Sequence, residues 1–171
     1  VQNTGWEFSL NTTNIDRKHF TWTSSFNISF NRNKITELPY GRDVIVGSYS
    51  LARVGQPAGV FYAHKTLGVY SRTEDNVWTD PVTGATRPVL KGSAEGTAFK
   101  GGDMIWDDVD GNGIIDDNDR QIIGSPHPKF IGGFGNTFSY KNFTLNVFLQ
   151  FTYGNKIMND LRRVRNQMTL T

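Results

Sequence analysis

The sequence predicts an all-β chain built from antiparallel, amphipathic strands, and three observations carry that prediction. Apolar and polar residues alternate strictly in four separate segments. Aromatic residues make up 13% of the chain and glycine is plentiful, a mixture that favours pleated structure over helix. No apolar run approaches the ~18 residues of a membrane-spanning helix.

Each strand follows from its own pattern. In residues 5–13, Trp6, Phe8 and Leu10 take one side and Glu7, Ser9 and Asn11 the other. In residues 19–32, Phe20, Trp22, Phe26, Ile28 and Phe30 oppose Thr21, Thr23, Ser25, Asn27, Ser29 and Asn31. Residues 130–140 set Phe130, Phe134, Phe138 and Tyr140 against Ile131, Gly133, Gly135, Thr137 and Ser139. Residues 142–154 set Phe143, Leu145, Val147, Leu149, Phe151 and Tyr153 against Thr144, Asn146, Gln150 and Thr152. Side chains alternate across a strand, so each segment has one apolar and one polar face. Short links at Ile15-Asp16-Arg17-Lys18 and Lys141-Asn142 predict two antiparallel hairpins.

The polar faces decide what kind of sheet this is. A soluble antiparallel sheet would produce the same alternation, but it usually carries Lys, Glu and Arg on its wet face. Here that face is Ser, Thr, Asn, Gln and Gly, with Glu7 the single charge. Strands of about ten residues, apolar on one side and neutral-polar on the other, with aromatics near their ends and alternating short turns and long loops, describe a transmembrane β-barrel. Four strands cannot close a barrel, which needs about eight. The chain is therefore expected to be a fragment: residues 1–32 and 130–154 as two barrel hairpins, 33–129 as a long excursion, and 155–171 as the start of a further loop. The start at Val1 without a leader, and the end at Thr171, agree with that expectation. The competing reading is a soluble, calcium-stabilised β module for binding or adhesion.

The excursion is too long to be a structureless loop. Val44-Ile45-Val46 and Gly59-Val60-Phe61-Tyr62-Ala63 read as short strands, and Asp80-Pro81-Val82-Thr83-Gly84 as a turn between Trp78 and Val89-Leu90. Gly55 to Gly59 and Gly101-Gly102 read as hinges. Near its end, residues 108–119 (Asp-Val-Asp-Gly-Asn-Gly-Ile-Ile-Asp-Asp-Asn-Asp) match an EF-hand-like calcium loop. Calcium wants six to eight oxygens converging on one point. Asp108, Asp110, Asn112, Asp116 and Asp119 supply side-chain oxygens at loop positions 1, 3, 5, 9 and 12, and Ile114 a carbonyl at position 7. Gly113 sits where the chain must turn sharply, and Ile115 points inward. Aspartate replaces the usual bidentate glutamate at position 12, which shortens that arm. No helix is expected on either side: Met104-Ile105-Trp106 reads as extended, and Gln121-Ile122-Ile123 is too short before Pro126 and Pro128. The alternative is an aspartate-rich turn without metal.

Composition narrows the function classes. Residues 103–119 hold seven of the sixteen acids and no base, leaving the other eighteen bases against nine acids, about +9. Without cysteine there is neither a disulfide framework nor a thiolate site. His19, His64 and His127 have no ligand spacing, and no nucleophile elbow or phosphate-binding loop is present. Asp103 and Asp107 could imitate a glycosidase pair, but carboxylates so crowded more often serve a cation. No nucleophile–base set can be named, so an enzyme is not expected. Arg162-Arg163-Val164-Arg165 could meet phosphates, but a solvated loop explains it as well, and no nucleic-acid partner is expected.

A family resemblance now adds to these readings. The run from Gly102 to Arg120, followed by Ile123-Gly124-Ser125-Pro126-His127-Pro128-Lys129-Phe130 and Gly132-Gly133-Phe134, resembles the SusC/RagA family of TonB-dependent outer-membrane transporters. So do Asn3-Thr4-Gly5-Trp6-Glu7-Phe8-Ser9-Leu10-Asn11, Val54 to Tyr62, and Phe143 to Lys156. The resemblance implies a piece of the C-terminal part of a 22-stranded barrel in the bacterial outer membrane. It implies a SusD-like surface lipoprotein as partner, TonB engaged through parts absent here, and glycan oligomers or peptides as cargo. It places the two short links in the periplasm and the calcium loop outside the cell.

Overall fold

The computed structural model describes residues 1–159. The strands are, in chain order, β1 (Gln2–Arg17), β2 (Phe20–Lys34), β3 (Val44–Val46), β4 (Ser50–Ala52), β5 (Val60–Ala63), β6 (Thr66–Val69) and β7 (Trp78–Thr79). They continue as β8 (Thr86–Arg87), β9 (Leu90–Lys91), β10 (Met104–Trp106), β11 (Ile114–Ile115), β12 (Gln121–Gly124), β13 (Phe130–Tyr140) and β14 (Phe143–Tyr153). No α-helix occurs among the described residues. The basic run at 162–165, and most of the loop expected at 155–171, lie outside them.

Two compact units emerge. Among the described residues, the first comprises Val1–Val44, Ala52–Gly59 and residues 124–159; the second comprises Ile45–Leu51 and Val60–Ile123. Part of the expected excursion thus groups with the long strands. The reason is polar cross-linking: Ile35 exchanges backbone bonds with Gln56 and Gly55, the Asn33 side chain accepts from Ala58 N at 2.7 Å, and His127 Nε2 meets the Ala58 carbonyl at 2.9 Å.

The first unit is one antiparallel sheet in the order β1-β2-β13-β14. Both hairpins form as expected, though the first turn is tighter: β1 runs to Arg17, leaving Lys18 and His19 as the turn. A bulge between Thr13 and Ile15 absorbs the difference and brings Ile15 opposite Trp22. The register levels the apolar side chains into rows. At one end Trp6 pairs with Phe30 and Phe130 with Tyr153, while the Phe30 and Phe130 rings lie 5.9 Å apart. At the turn end Phe20 pairs with Tyr140, which pairs with Phe143. Among the described residues nothing covers this face: Trp6 is 80% exposed, Phe143 80% and Leu149 59%.

One row on that face is polar. Thr12, Ser24, Asn136 and Val147 lie level across the four strands, and the bulge residue Asn14 joins them. Their groups satisfy one another: Thr12 Oγ1 donates to Asn14 Oδ1 (2.9 Å), Asn14 Nδ2 to Ser24 Oγ (2.6 Å), and Ser24 Oγ to Asn136 Oδ1 (2.7 Å). The Trp22 indole donates to the same Asn136 oxygen at 2.9 Å. On the opposite, polar face Phe148 stands level with Gly135. Its ring lies so close to Gly133 that an added Cβ there would sit 2.9 Å away.

The second unit is made of short strands. β12-β5-β4-β3 form one small sheet, and β10 pairs with β6 and β7 with β8. The turn at Asp80–Gly84 closes Trp78 onto Arg87 rather than onto Val89-Leu90; β9 instead runs parallel to β11. Its core is small: a cluster of Tyr70, Phe99 and Ile115 flanked by Val89, Ile105 and Trp106, and the buried pair Leu51 and Val60 in the small sheet. Buried Asn76 bridges Val89 and Phe99 with three side-chain hydrogen bonds, doing for two loops what a strand would otherwise do.

Gly132 tests the sheet. A Cβ there would lie 2.6 Å from the Asn27 carbonyl and 2.5 Å from the Phe151 ring. Gly132→Ala is therefore expected to destabilise the full-length protein by ~1–3 kcal/mol, the usual cost of overpacking. A lowered heat-unfolding midpoint would register it, and an unchanged midpoint would contradict the packing described.

Candidate metal centre

The loop at 108–119 is built by backbone turns that its own aspartates cap. Asp108 accepts from Asn112 N (3.1 Å) and Gly113 N (2.7 Å), and Asp110 from Asn112 N (3.1 Å). Asn112 Nδ2 donates to Asp110 (2.9 Å) and its Oδ1 accepts from Ile114 N (2.6 Å). Asp116 caps Asn118 N at 2.7 Å and opens the 3-10 turn Asp117–Asp119, which swings Asp119 back over the loop. There Asp119 is wholly buried and accepts from Val109 N and Asp116 N, both at 2.8 Å.

The result is a convergence of charge. Asp108, Asp110 and Asp119 each bring a carboxylate oxygen to within 4.8 Å of the other two. Among the described residues no Lys or Arg side chain bonds to any of the three. Burial pushes the Asp108 carboxyl above its ordinary range, and the neighbouring Asp119 charge pushes the same way against the bonds from Gly113, Gly111 and Asn112. Such a set is relieved by a proton or by a hard cation. The ladder with β9 uses the carbonyls of Gly113 and Ile115, so the Ile114 carbonyl between them faces the other edge. The Asp116 side chain stands apart from the three, committed to its cap.

Three residues outside the loop hold it, and the sequence pattern did not single them out. Trp78 Nε1 donates to the Gly111 carbonyl at 3.1 Å, and Arg87 Nη2 to the Asn112 carbonyl at 2.6 Å. The guanidinium of Arg87 lies 4.5 Å over the Trp78 ring. His64 Nε2 meets the Asp116 carbonyl at 2.6 Å and its ring packs edge-on to Trp106. Gly113 must be glycine twice over: its φ is +71°, and a Cβ would lie 2.6 Å from the Trp78 indole. Asp103 and Asp107 each bond to separate partners. Asp103 caps Lys100 N, while Asp107 accepts from Gln121 and Lys65, each at 3.0 Å, and these bonds hold its carboxyl below the usual range.

The charge cluster has a pH signature. A carboxyl raised on folding binds more protons folded than unfolded, so stability falls as pH rises through the window above the unfolded value. In metal-free protein Asp108 should contribute such a fall. Asp107, and Asp80 with its two backbone donors, are lowered and act oppositely in a more acid window. Asp108→Asn should flatten the fall seen in pH-dependent thermal unfolding under chelator, whereas an unchanged slope would mean that Asp108 is not strained by its neighbours.

Comparison with known proteins places this geometry. No family model matches the chain. TonB-dependent receptor P3 of Formosa agariphila is 37% identical over 168 residues, which cover 93% of this chain and 16% of the relative. TonB-dependent receptor P39 of the same organism is 34% identical over 98% of this chain and 18% of its own length. SusC of Bacteroides thetaiotaomicron is 28% identical over 94% of this chain and 15% of its own. The solved RagAB peptide transporter superposes with a TM-score of 0.65 at 23% identity, over 92% of this chain and 16% of that one, a likeness of fold. The chain thus spans about a sixth of the length of its curated relatives, and along nearly all of its own length it belongs to the TonB-dependent receptors, the family of SusC.

Proposed function

We propose that this chain forms part of the wall and outer loops of a nutrient importer in the bacterial outer membrane. The observation that carries the reading is the pair of aromatic rows on an uncovered apolar face. Phe20 and Phe30 stand ten residues apart on β2. At ~3.3 Å per residue and a tilt near 40°, that is about 25 Å of height, the apolar band of an outer-membrane barrel. Two-residue turns close one end, and the long connection leaves from the other, as periplasmic turns and extracellular loops do. In the whole protein, further strands would close the barrel, TonB would engage segments outside this chain, and a SusD-like lipoprotein would cap the outer face. Glycan oligomers or peptides are the proposed cargo.

In this reading the loop is a structural calcium site. Asp108, Asp110, Asn112, Asp116 and Asp119, with the Ile114 carbonyl, would hold the ion, Asp116 through a water as position 9 often does. Its chemistry would be neutralisation: one hard cation offsets the carboxylates that Asp108, Asp110 and Asp119 crowd together. Calcium would order the excursion without contacting cargo.

Two tests follow. This chain has no cysteine, so single cysteines placed in it, in a full-length background cleared of any others, report topology. Val82→Cys, at a hairpin tip 90% exposed, should react with an impermeant maleimide on intact cells, and Lys141→Cys only after the outer membrane is opened. Labelling of Lys141→Cys on intact cells would overturn the orientation. For the ion, calcium at a hundred times its dissociation constant should stabilise the full-length protein by ~2.7 kcal/mol. Combining Asp110→Ala with Asp119→Ala should abolish that gain and impair assembly or lipoprotein docking while cargo choice stays the same. A protein whose unfolding ignores calcium would end the metal assignment, and normal assembly with altered cargo choice would move the loop into the binding site.

A further inference from the structure

Just beyond the outer aromatic row the sheet opens into a recess whose charge is all of one sign. The pairing of β2 with β13 ends at Ser29 and Ile131, and past it the upper end of β2 and the segment 125–129 separate. The cleft between them encloses ≈380 Å³ and is lined by Arg32, Lys34, His127 and Lys129 with polar and small residues, and by no carboxylate. His127 is fixed by its bond to the Ala58 carbonyl. Arg32 and Lys34 follow Phe30 at two-residue steps and so rise from the apolar side of the strand. Lys129 lies along Gly154, where an added Cβ would stand 2.6 Å from its Cγ, and its ammonium reaches to 5.9 Å from the Tyr153 ring. No ion pair engages Arg32, Lys34 or Lys129 among the described residues.

Three cations at the rim of an aromatic row stand where a bilayer changes from hydrocarbon to headgroup. An unpaired cluster in a formed recess calls for an anion, and guanidinium with ammonium groups suits phosphate oxygens. The row beneath it is apolar and aromatic, so the same occupant must carry acyl chains that lie against Phe30, Phe130 and Tyr153. We infer that this recess holds a phosphorylated glycolipid headgroup of the outer leaflet, with Arg32, Lys34 and Lys129 on the phosphate and the aromatic row against its acyl chains. The inference rests on the proposed membrane orientation.

The test uses full-length protein purified in a neutral detergent. Bisphosphorylated lipid A should bind, seen as an adduct in native mass spectrometry and as a raised heat-unfolding midpoint. Dephosphorylated lipid A should bind at least about tenfold more weakly, and inorganic phosphate alone should neither bind appreciably nor compete. Replacing Arg32, Lys34 and Lys129 together by Gln should weaken lipid A binding by about tenfold or more, while Lys91→Gln in the second unit leaves it unchanged. Equal binding by the triple variant, equal binding of the dephosphorylated lipid, or saturation by free phosphate would each overturn the inference. A full-length protein that is monodisperse without detergent would instead overturn the membrane reading on which it stands, a result distinct from any of these.

Discussion

The pairing of β2 with β13 is the constraint on which the rest of the structure depends. Ten residue pairs run in unbroken register from Phe20 opposite Tyr140 to Ser29 opposite Ile131. These strands lie almost a hundred residues apart in sequence, so no tight turn sets their alignment. Side chains alternate with a period of two, and a slip of one residue would exchange the two faces of a whole hairpin. The register is what levels Phe30 with Phe130 and stacks Trp22 on Phe138 at 5.6 Å. It also brings Asn136 to Ser24. A sheet against hydrocarbon has no water to satisfy stray backbone groups, so an unbroken ladder and a one-sided apolar face are parts of a single solution.

The second unit solves a different problem. Its apolar core is small, the cluster of Tyr70, Phe99 and Ile115 with Leu51 and Val60 buried elsewhere in the unit, too little to fix some seventy residues by burial alone. Order comes from side chains that bond to backbone. Asn76 joins two loops, Arg87 holds the acidic loop by two carbonyls, and Arg120 spans the Ser48 and Tyr62 carbonyls while lying over the Tyr62 ring. Aspartates cap nearly every turn of residues 108–119. The acidic stretch therefore organises the fold locally even before its net charge is considered. Its burial of Asp119 beside Asp108 concentrates in one place a repulsion that the rest of the unit must hold.

Much of this was legible in the sequence because the signals are local and periodic. The four long strands follow from alternation, and the turn at Lys141-Asn142 from the break between two such runs. The turns of residues 108–119 follow from aspartate and asparagine at two-residue spacing with glycine where the backbone φ is positive. What stayed hidden depends on contacts distant in sequence. Trp78 and Arg87 reach the loop from about thirty residues away, and neither carries a local mark. The turn at Asp80–Gly84 closes Trp78 onto Arg87, two residues before the Val89-Leu90 pair that apolar character alone suggests. The bond between Ser24 and Asn136 joins strands a hundred residues apart and leaves no mark in an alternating pattern, and Phe148 interrupts the polar face of its strand. The bulge that turns Ile15 toward Trp22 has no signature in a simple alternating count.

The polar row across the apolar face bears on how such a wall enters a bilayer. Trp22 and Ser24 sit in the first hairpin, but the oxygen that receives both of them belongs to Asn136 in the second. A first hairpin inserted alone would carry an indole N–H and a hydroxyl into lipid without that acceptor, each unmet group costing ~1–3 kcal/mol. Docking the second hairpin beforehand removes the penalty, but only after the intervening chain has been carried outward and its ends drawn together, a closure whose entropic cost grows slowly with length. In the proposed barrel wall, joining the two hairpins before they meet hydrocarbon would keep both groups bonded to Asn136.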